Sequence, residues 1–88
     1  MDQNEFNSML ASRASLYGDF AENSDYARRL KAIIHEKADK LSPSQHEALD
    51  MICGKIARIL TGDPNYSDNW VDIQGYAKRG EEQSAKSQ

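Results

Sequence analysis

The sequence predicts an all-α fold, a small single-domain bundle of about four helices. Apolar residues recur at spacings of three and four, which place them on one side of a helix, and no stretch alternates polar and apolar residues as a strand does. Helix-starting residues and helix-ending glycines divide the chain into segments of helical length. The chain has 88 residues, the size of one small domain. We expect residues 1–80 to form the helical domain and residues 81–88 a flexible polar tail.

The third predicted helix has the clearest boundaries and forms the centre of the domain. Ser42 is suited to cap its N-terminus, Pro43 fits the first helical position, and Gln45 completes a capping box. Gly62 is expected to end this helix. Its apolar face and the apolar residues of the second and fourth helices give the predicted core: Leu30, Ile33, Ile34, Leu49, Ile52, Cys53, Ile56, Leu60, Trp70 and Ile73.

The other three helices have weaker boundary signals. The first covers about residues 4–15 and stops before a turn at Gly18. The second is expected to begin with Ser24 as its N-cap. The fourth covers about residues 68–79, and Gly80 is expected to end it.

Composition and charge argue against several classes of protein function. The net charge is −3, with 11 basic and 14 acidic residues interspersed, which argues against a general nucleic-acid binder. Cys53 is the single cysteine and lies in an apolar run, which favours a buried, reduced thiol. Neither a signal-peptide core nor an apolar run long enough for a membrane span is present, so we expect a cytoplasmic protein without membrane contact.

Apolar residues of the first helix have few partners within a domain this small. Phe6, Met9 and Leu10 share one side of that helix. Because small chains often complete their core by association, we expect a homo-oligomer, with a dimer as the favoured form.

Two pairs of acids could hold a metal ion. Members of each pair are three or four residues apart on the third or fourth helix and therefore share a helix face. Carboxylate oxygens are the ligands that Mg²⁺ prefers, and this interpretation would use Glu47, Asp50, Asp68 and Asp72. In the alternative interpretation these acids are ordinary surface charges near helix starts, stabilised by the helix dipole. No zinc-ligand spacing, phosphate-binding loop, dinucleotide fingerprint or serine-nucleophile motif occurs.

Cations and tyrosines provide a candidate ligand site. We expect one polar cluster that contains Lys55 and Arg58 from the third helix and the acids Asp68 and Asp72 from the fourth. In a structural version Arg58 forks onto Asp72 and locks the two helices together. In a functional version the acids hold Mg²⁺ and the cations receive phosphate. The predicted ligand-binding residues are Lys55, Arg58, Tyr17 and Tyr76.

Gly75 is a further candidate because it lies inside a predicted helix. Glycine there costs about 1 kcal/mol relative to alanine. We therefore expect another helix, or a ligand, to approach the backbone closely at this position.

Two short blocks of the sequence resemble a known family. The YGD turn at residues 17–19 and the later block at residues 46–79 resemble a family of small phage- and prophage-encoded helical proteins of unassigned role. The resemblance covers residues 13–79 and implies a phage setting. The matching positions of the later block are Met51, Lys55, Arg58, Asp68, Asn69, Asp72, Gly75, Tyr76 and Ala77.

The chain also resembles, more weakly, the MazG-like all-α nucleoside triphosphate pyrophosphatases. These enzymes hold Mg²⁺ with two acid pairs on successive helices. Glu47 and Asp50 match the spacing of one pair, and Asn69 and Asp72 that of the other, with Asn69 in place of an acid. We therefore expect a small phage-type interaction or ligand-binding protein without catalysis or cofactor, whose partner is a host protein or a small nucleotide. The alternative is a magnesium-dependent all-α nucleoside triphosphate pyrophosphohydrolase.

Overall fold

A computed structural model describes residues 1–87 of the chain and the side chains of residues 1–83. Within residues 1–87 the fold consists of helices without a strand, so the predicted all-α bundle is confirmed. A short 3₁₀ turn, Ala38–Lys40, joins the second helix to the third. The four helices are α1 (Gln3–Tyr17), α2 (Phe20–Glu36), α3 (Pro43–Thr61) and α4 (Ser67–Ser87).

Both ends of α3 form as the sequence predicts. The backbone N–H of Gln45 donates to the Ser42 hydroxyl over 3.1 Å, and the Ser42 N–H donates to the Gln45 side-chain oxygen over 3.0 Å. This reciprocal pair satisfies backbone donors that the first turn would otherwise leave without partners. Gly62 ends the helix, and its N–H donates to the carbonyl of Arg58.

Two predicted helix boundaries are wrong. The helix α2 begins at Phe20, because Asp19 caps it by accepting the N–H of Glu22, and Ser24 therefore lies inside the helix. Helix α4 does not end at Gly80 but continues to Ser87. A Cβ atom at Gly80 would lie 3.7 Å from the Cβ of Ala48, so this glycine is a packing position against α3. The flexibility of residues 81–88 stays a prediction, and residue 88 lies outside the described part of the chain.

Helix α3 is central and packs against both α2 and α4. Contacts between Ala48 and Gly80 and between Lys55 and Asp72 show that α3 and α4 are antiparallel. On the side of α3 that faces α2, the ring of His46 stacks on the ring of His35 from α2, with centroids 5.8 Å apart. Helix α1 contributes no buried residue and is the least integrated of the four helices.

The buried core differs from the predicted one. Its apolar residues are Ala48, Cys53 and Ala57, all on α3. Small side chains at these positions let the neighbouring helices approach closely, and the larger apolar residues of α3 pack around them without full burial. The predicted core residues Ile33, Leu60 and Trp70 are half or more exposed. The remaining predicted core residues, apart from buried Cys53, are partly covered: Leu30, Ile34, Leu49, Ile52, Ile56 and Ile73.

Cys53 matches the prediction of a buried thiol. Burial, and secondly the nearby charge of Asp50, raise the pKa of this thiol above its ordinary value. The thiol therefore stays protonated and unreactive at neutral pH.

Candidate functional site

A cleft lies where the end of α1, the start of α2 and the last turns of α3 meet. Its volume is about 350 Å³, within the usual range for small-ligand sites. We call it the α1–α2 cleft. Its lining residues are Leu10, Arg13, Ala14, Tyr17, Gly18, Asp19, Phe20, Asn23 and Arg58.

Hydrogen bonds fix the turn that forms the floor of the cleft. Gly18 adopts φ +87°, a left-handed conformation that glycine tolerates better than other residues. The carbonyl of Tyr17 accepts from the Thr61 hydroxyl over 3.1 Å and from the Asn23 amide over 3.3 Å. The N–H of Asp63 donates to the carbonyl of Leu16 over 3.0 Å. These hydrogen bonds attach the turn to the end of α3. They therefore fix the positions of the cleft residues that come from α1 and α2 relative to those from α3.

Two arginines lie against one tyrosine ring in this cleft. The guanidinium carbon of Arg58 is 4.9 Å from the ring centroid of Tyr17, and that of Arg13 is 5.7 Å from it. Both distances are within the range of cation–π contacts. Among the described residues, no carboxylate forms an ion pair with either guanidinium. The cleft therefore holds two guanidiniums outside any ion pair, together with one carboxylate, that of Asp19, which accepts the N–H of Glu22.

An exposed aromatic ring stands beside these charges. Phe20, the first residue of α2, is 81% exposed although it lines the cleft. A planar aromatic face of this kind can stack on another flat ring. Sequence analysis missed Phe20 and Arg13, although the position of Arg13 one turn before Tyr17 is a usable signal.

The predicted polar cluster divides into two separate groups. In the first, Tyr17 makes an edge contact with Tyr66, with centroids 5.6 Å apart, and the Tyr66 hydroxyl donates to Asp68 over 2.8 Å. The hydrogen bond to Asp68, and secondly one to Tyr17, raise the pKa of Tyr66 well above its ordinary value. Tyr66 therefore remains a neutral donor that holds Asp68 in place. Arg58 joins this group through Tyr17.

The second group is an ion pair that differs from the predicted one. Lys55, not Arg58, binds Asp72, with Nζ and Oδ2 3.1 Å apart. The lysine side chain is 14% exposed and the aspartate side chain 45% exposed. The prediction that Arg58 forks onto Asp72 is wrong, because α3 turns Lys55 toward α4 and Arg58 toward Tyr17.

The four acids proposed as metal ligands do not converge within one chain. Asp50 faces His46 at 3.8 Å, Asp72 pairs with Lys55, and Asp68 accepts from Tyr66. The described residues contain no group of three or more histidines, cysteines and acids able to hold a metal ion. The donor set Glu47, Asp50, Asp68 and Asp72 therefore does not fit Mg²⁺ in this chain.

Two further candidates lie away from the cleft. Tyr76 lies beneath Arg79, whose guanidinium carbon is 5.5 Å from the ring centroid, so it does not join Tyr17. Nothing outside its own helix comes within 4 Å of a Cβ atom placed at Gly75. The predicted close approach of another helix at Gly75 is therefore wrong, whereas the approach of a ligand there stays a prediction. The closely packed glycine of this helix is Gly80.

Asn69, near the start of α4, is a buried polar residue. It is 1% exposed, and neither atom of its side-chain amide has a hydrogen-bond partner in the structure. A buried amide without partners costs stability. Asn69 does not line the α1–α2 cleft, so its role is distinct from that of the arginines.

Comparison with protein families identifies the family of this chain. A family model described as a domain of unknown function (DUF6378) matches residues 4–84, so the chain belongs to this family. No curated protein and no solved structure matches the chain. In the described part of the chain, no helix has the length and apolar character needed to cross a membrane.

Proposed function

We propose that this member of the DUF6378 family is a non-catalytic ligand-binding protein whose α1–α2 cleft takes a nucleotide. The observation that carries the proposal is the pair of unpaired guanidiniums, Arg13 and Arg58, on one tyrosine ring beside an exposed phenylalanine. Arginine matches the geometry of phosphate oxygens with several parallel donors. An aromatic face such as that of Phe20 suits a nucleobase.

Charge and size favour a small nucleotide over a nucleic acid. The chain carries a net charge of −3, which repels a long polyanion, whereas the two arginines outnumber the single acid of the cleft, Asp19, and leave its lining with a net positive charge. The volume of about 350 Å³ suits part of one nucleotide, with the remainder in solvent. These features support binding of a mononucleotide through its phosphates and base.

The resemblance to phage and prophage proteins supports a phage setting for the proposed nucleotide binding. In that setting the protein acts in the cytoplasm of an infected host, where it binds a host nucleotide or presents it to a host protein. The alternative, a magnesium-dependent pyrophosphohydrolase, has less support because its four acids do not converge within one chain.

Isothermal titration with ATP tests the proposal. We expect saturable binding at one site per chain, and we expect Arg58→Met to weaken it roughly 10- to 100-fold, because a charge-assisted hydrogen bond contributes about 1.5–3 kcal/mol. Arg29→Met is the matched control. Arg29 also lies over a tyrosine ring, that of Tyr26 at 4.4 Å, but it does not line the cleft.

Several outcomes would contradict this function. Absence of ATP binding, or equal losses in the two arginine variants, would remove the cleft as a nucleotide site. Release of pyrophosphate from ATP in the presence of Mg²⁺ would favour the enzymatic alternative instead.

A further inference from the structure

A carboxylate lines the α1–α2 cleft together with the aromatic ring proposed to stack on a base. Asp19 is the N-cap of α2 and directly precedes Phe20, and both residues line the cleft. The Oδ2 atom of Asp19 accepts the N–H of Glu22 over 3.2 Å. In the described part of the chain, neither a hydrogen bond nor an ion pair occupies its other oxygen, Oδ1. The capping bond therefore holds this carboxylate in place and leaves one oxygen for a ligand.

The phosphates of a nucleotide do not explain this carboxylate. A negative charge repels phosphate, and serine or asparagine would cap the helix equally well without that charge. An ionised carboxylate accepts hydrogen bonds and donates none. Asp19 therefore suits a part of the ligand that carries N–H donors, and a base stacked on Phe20 is the part that can carry them.

The start of α2 adds a donor next to this acceptor. The backbone N–H of Phe20 belongs to the first turn of α2, where a helix supplies no carbonyl partner for its N–H groups. The same short segment, Asp19 and Phe20, therefore offers a carboxylate acceptor, a backbone donor and an aromatic face to the cleft. A base that suits this segment has donors on its edge for the carboxylate and an acceptor for the N–H.

Guanine is the base whose edge matches this combination. Its pairing edge carries two donors, the N1–H and the amino group on C2, and one acceptor, O6. Adenine has an amino group where guanine has O6, and its unprotonated N1 would face the carboxylate as a second acceptor. We infer that the α1–α2 cleft selects a guanine nucleotide, with Asp19 accepting from N1–H and the C2 amino group. The inference rests on the proposed nucleotide function and adds the identity of the base.

Titration calorimetry with GTP, ATP and ITP tests the inference. We expect GTP to bind wild-type protein roughly 10-fold more tightly than ATP, because a hydrogen bond to a charged group changes affinity by this order. ITP keeps the N1–H and O6 of guanine but lacks the amino group, so its affinity should lie between the other two. All three nucleotides carry the same triphosphate, so the comparison isolates the base.

The substitution Asp19→Asn tests the carboxylate without removing the helix cap, because asparagine caps a helix as well as aspartate does. Loss of one negative charge favours the phosphates of GTP and ATP alike, so the readout is the ratio of their dissociation constants. We expect the preference for GTP to disappear. Asp2→Asn is the matched control, because Asp2 caps α1 by accepting the N–H of Glu5 over 2.8 Å but does not line the cleft. This control should keep the wild-type preference.

The outcomes separate this inference from the proposed function. Equal affinities of wild-type protein for GTP and ATP, or tighter binding of ATP, would overturn the inference and leave the nucleotide site standing. A preference for GTP that persists in Asp19→Asn would overturn it as well, because Asp19 would then be a helix cap alone. Failure of all three nucleotides to bind would remove the proposed function and the inference with it. The wild-type comparison is decisive even if the variant does not fold.

Discussion

Replacing Gly62 by alanine should destabilise the protein by about 3 kcal/mol, at the upper end of the usual cost of overpacking. A Cβ atom at this position would overlap the carbonyl oxygen of Leu16 and would lie 2.6 Å from the carbonyl carbon of Tyr17. It would also lie 2.7 Å from the N atom of Gly18. These are backbone atoms, so the α1–α2 turn must move away from the end of α3. Thermal or urea unfolding measures the loss.

The same chain offers matched controls for this substitution. Gly54 and Gly75 lie inside helices with nothing within 4 Å of an added Cβ atom apart from their own helix. Alanine at either position should be neutral or stabilising by up to about 1 kcal/mol, because alanine has the higher helix propensity. Equal stabilities for Gly62→Ala and Gly54→Ala would show that the turn does not contact α3 as described.

The substitution Asp72→Asn should lower stability by about 1–2 kcal/mol. It leaves the largely buried side chain of Lys55 without its partner. Removal of one partner from a fully buried pair costs about 3–5 kcal/mol, and the half-exposed position of Asp72 reduces that cost through solvent screening. Denaturant unfolding with and without Mg²⁺ measures the change.

Magnesium separates this structural role from the metal-binding alternative. If Lys55–Asp72 is a structural pair, the loss is the same with and without Mg²⁺. If the acids hold Mg²⁺, the variant is as stable as wild type, or more stable, without the ion, and Mg²⁺ no longer raises its unfolding temperature. Asp25→Asn is the control, because Asp25 lies outside the proposed metal set and its ion pair with Arg29 is solvent-exposed, so its loss should cost little with or without Mg²⁺.

Local signals explain the parts of the fold that sequence analysis predicted correctly. The capping box at Ser42 and Gln45 fixes the start of α3 through hydrogen bonds between residues three apart. Because both residues are neighbours in sequence, the sequence alone predicts this helix start. The turn at Gly18 is similarly local. The role of Gly80 is not local. A glycine that ends a helix and a glycine that packs against a neighbouring helix look alike in sequence, and only the position of Ala48 distinguishes them.

The sequence predicts only part of the candidate site, because contacts between helices are not local either. Arg58 and Tyr17 were both named, and the structure brings them together, but their partners depend on the rotation of α3. Lys55 and Arg58 are three residues apart, only about 60° from each other around the helix, so a small rotation of α3 decides which of them faces α4 and which faces Tyr17. Phe20 was missed because an exposed apolar residue gains meaning only from its neighbours in space.

Nuclear magnetic resonance of the ¹⁵N-labelled protein during titration with ATP tests the nucleotide site most directly. The account predicts that the backbone signals of residues 13–20 and of Arg58 move first and furthest, because they surround the α1–α2 cleft. The signals of Tyr76 and Arg79, a similar arginine–tyrosine pair on α4, should stay in place. Signals that do not move at all, or that move mainly around Tyr76 and Arg79, would contradict the account.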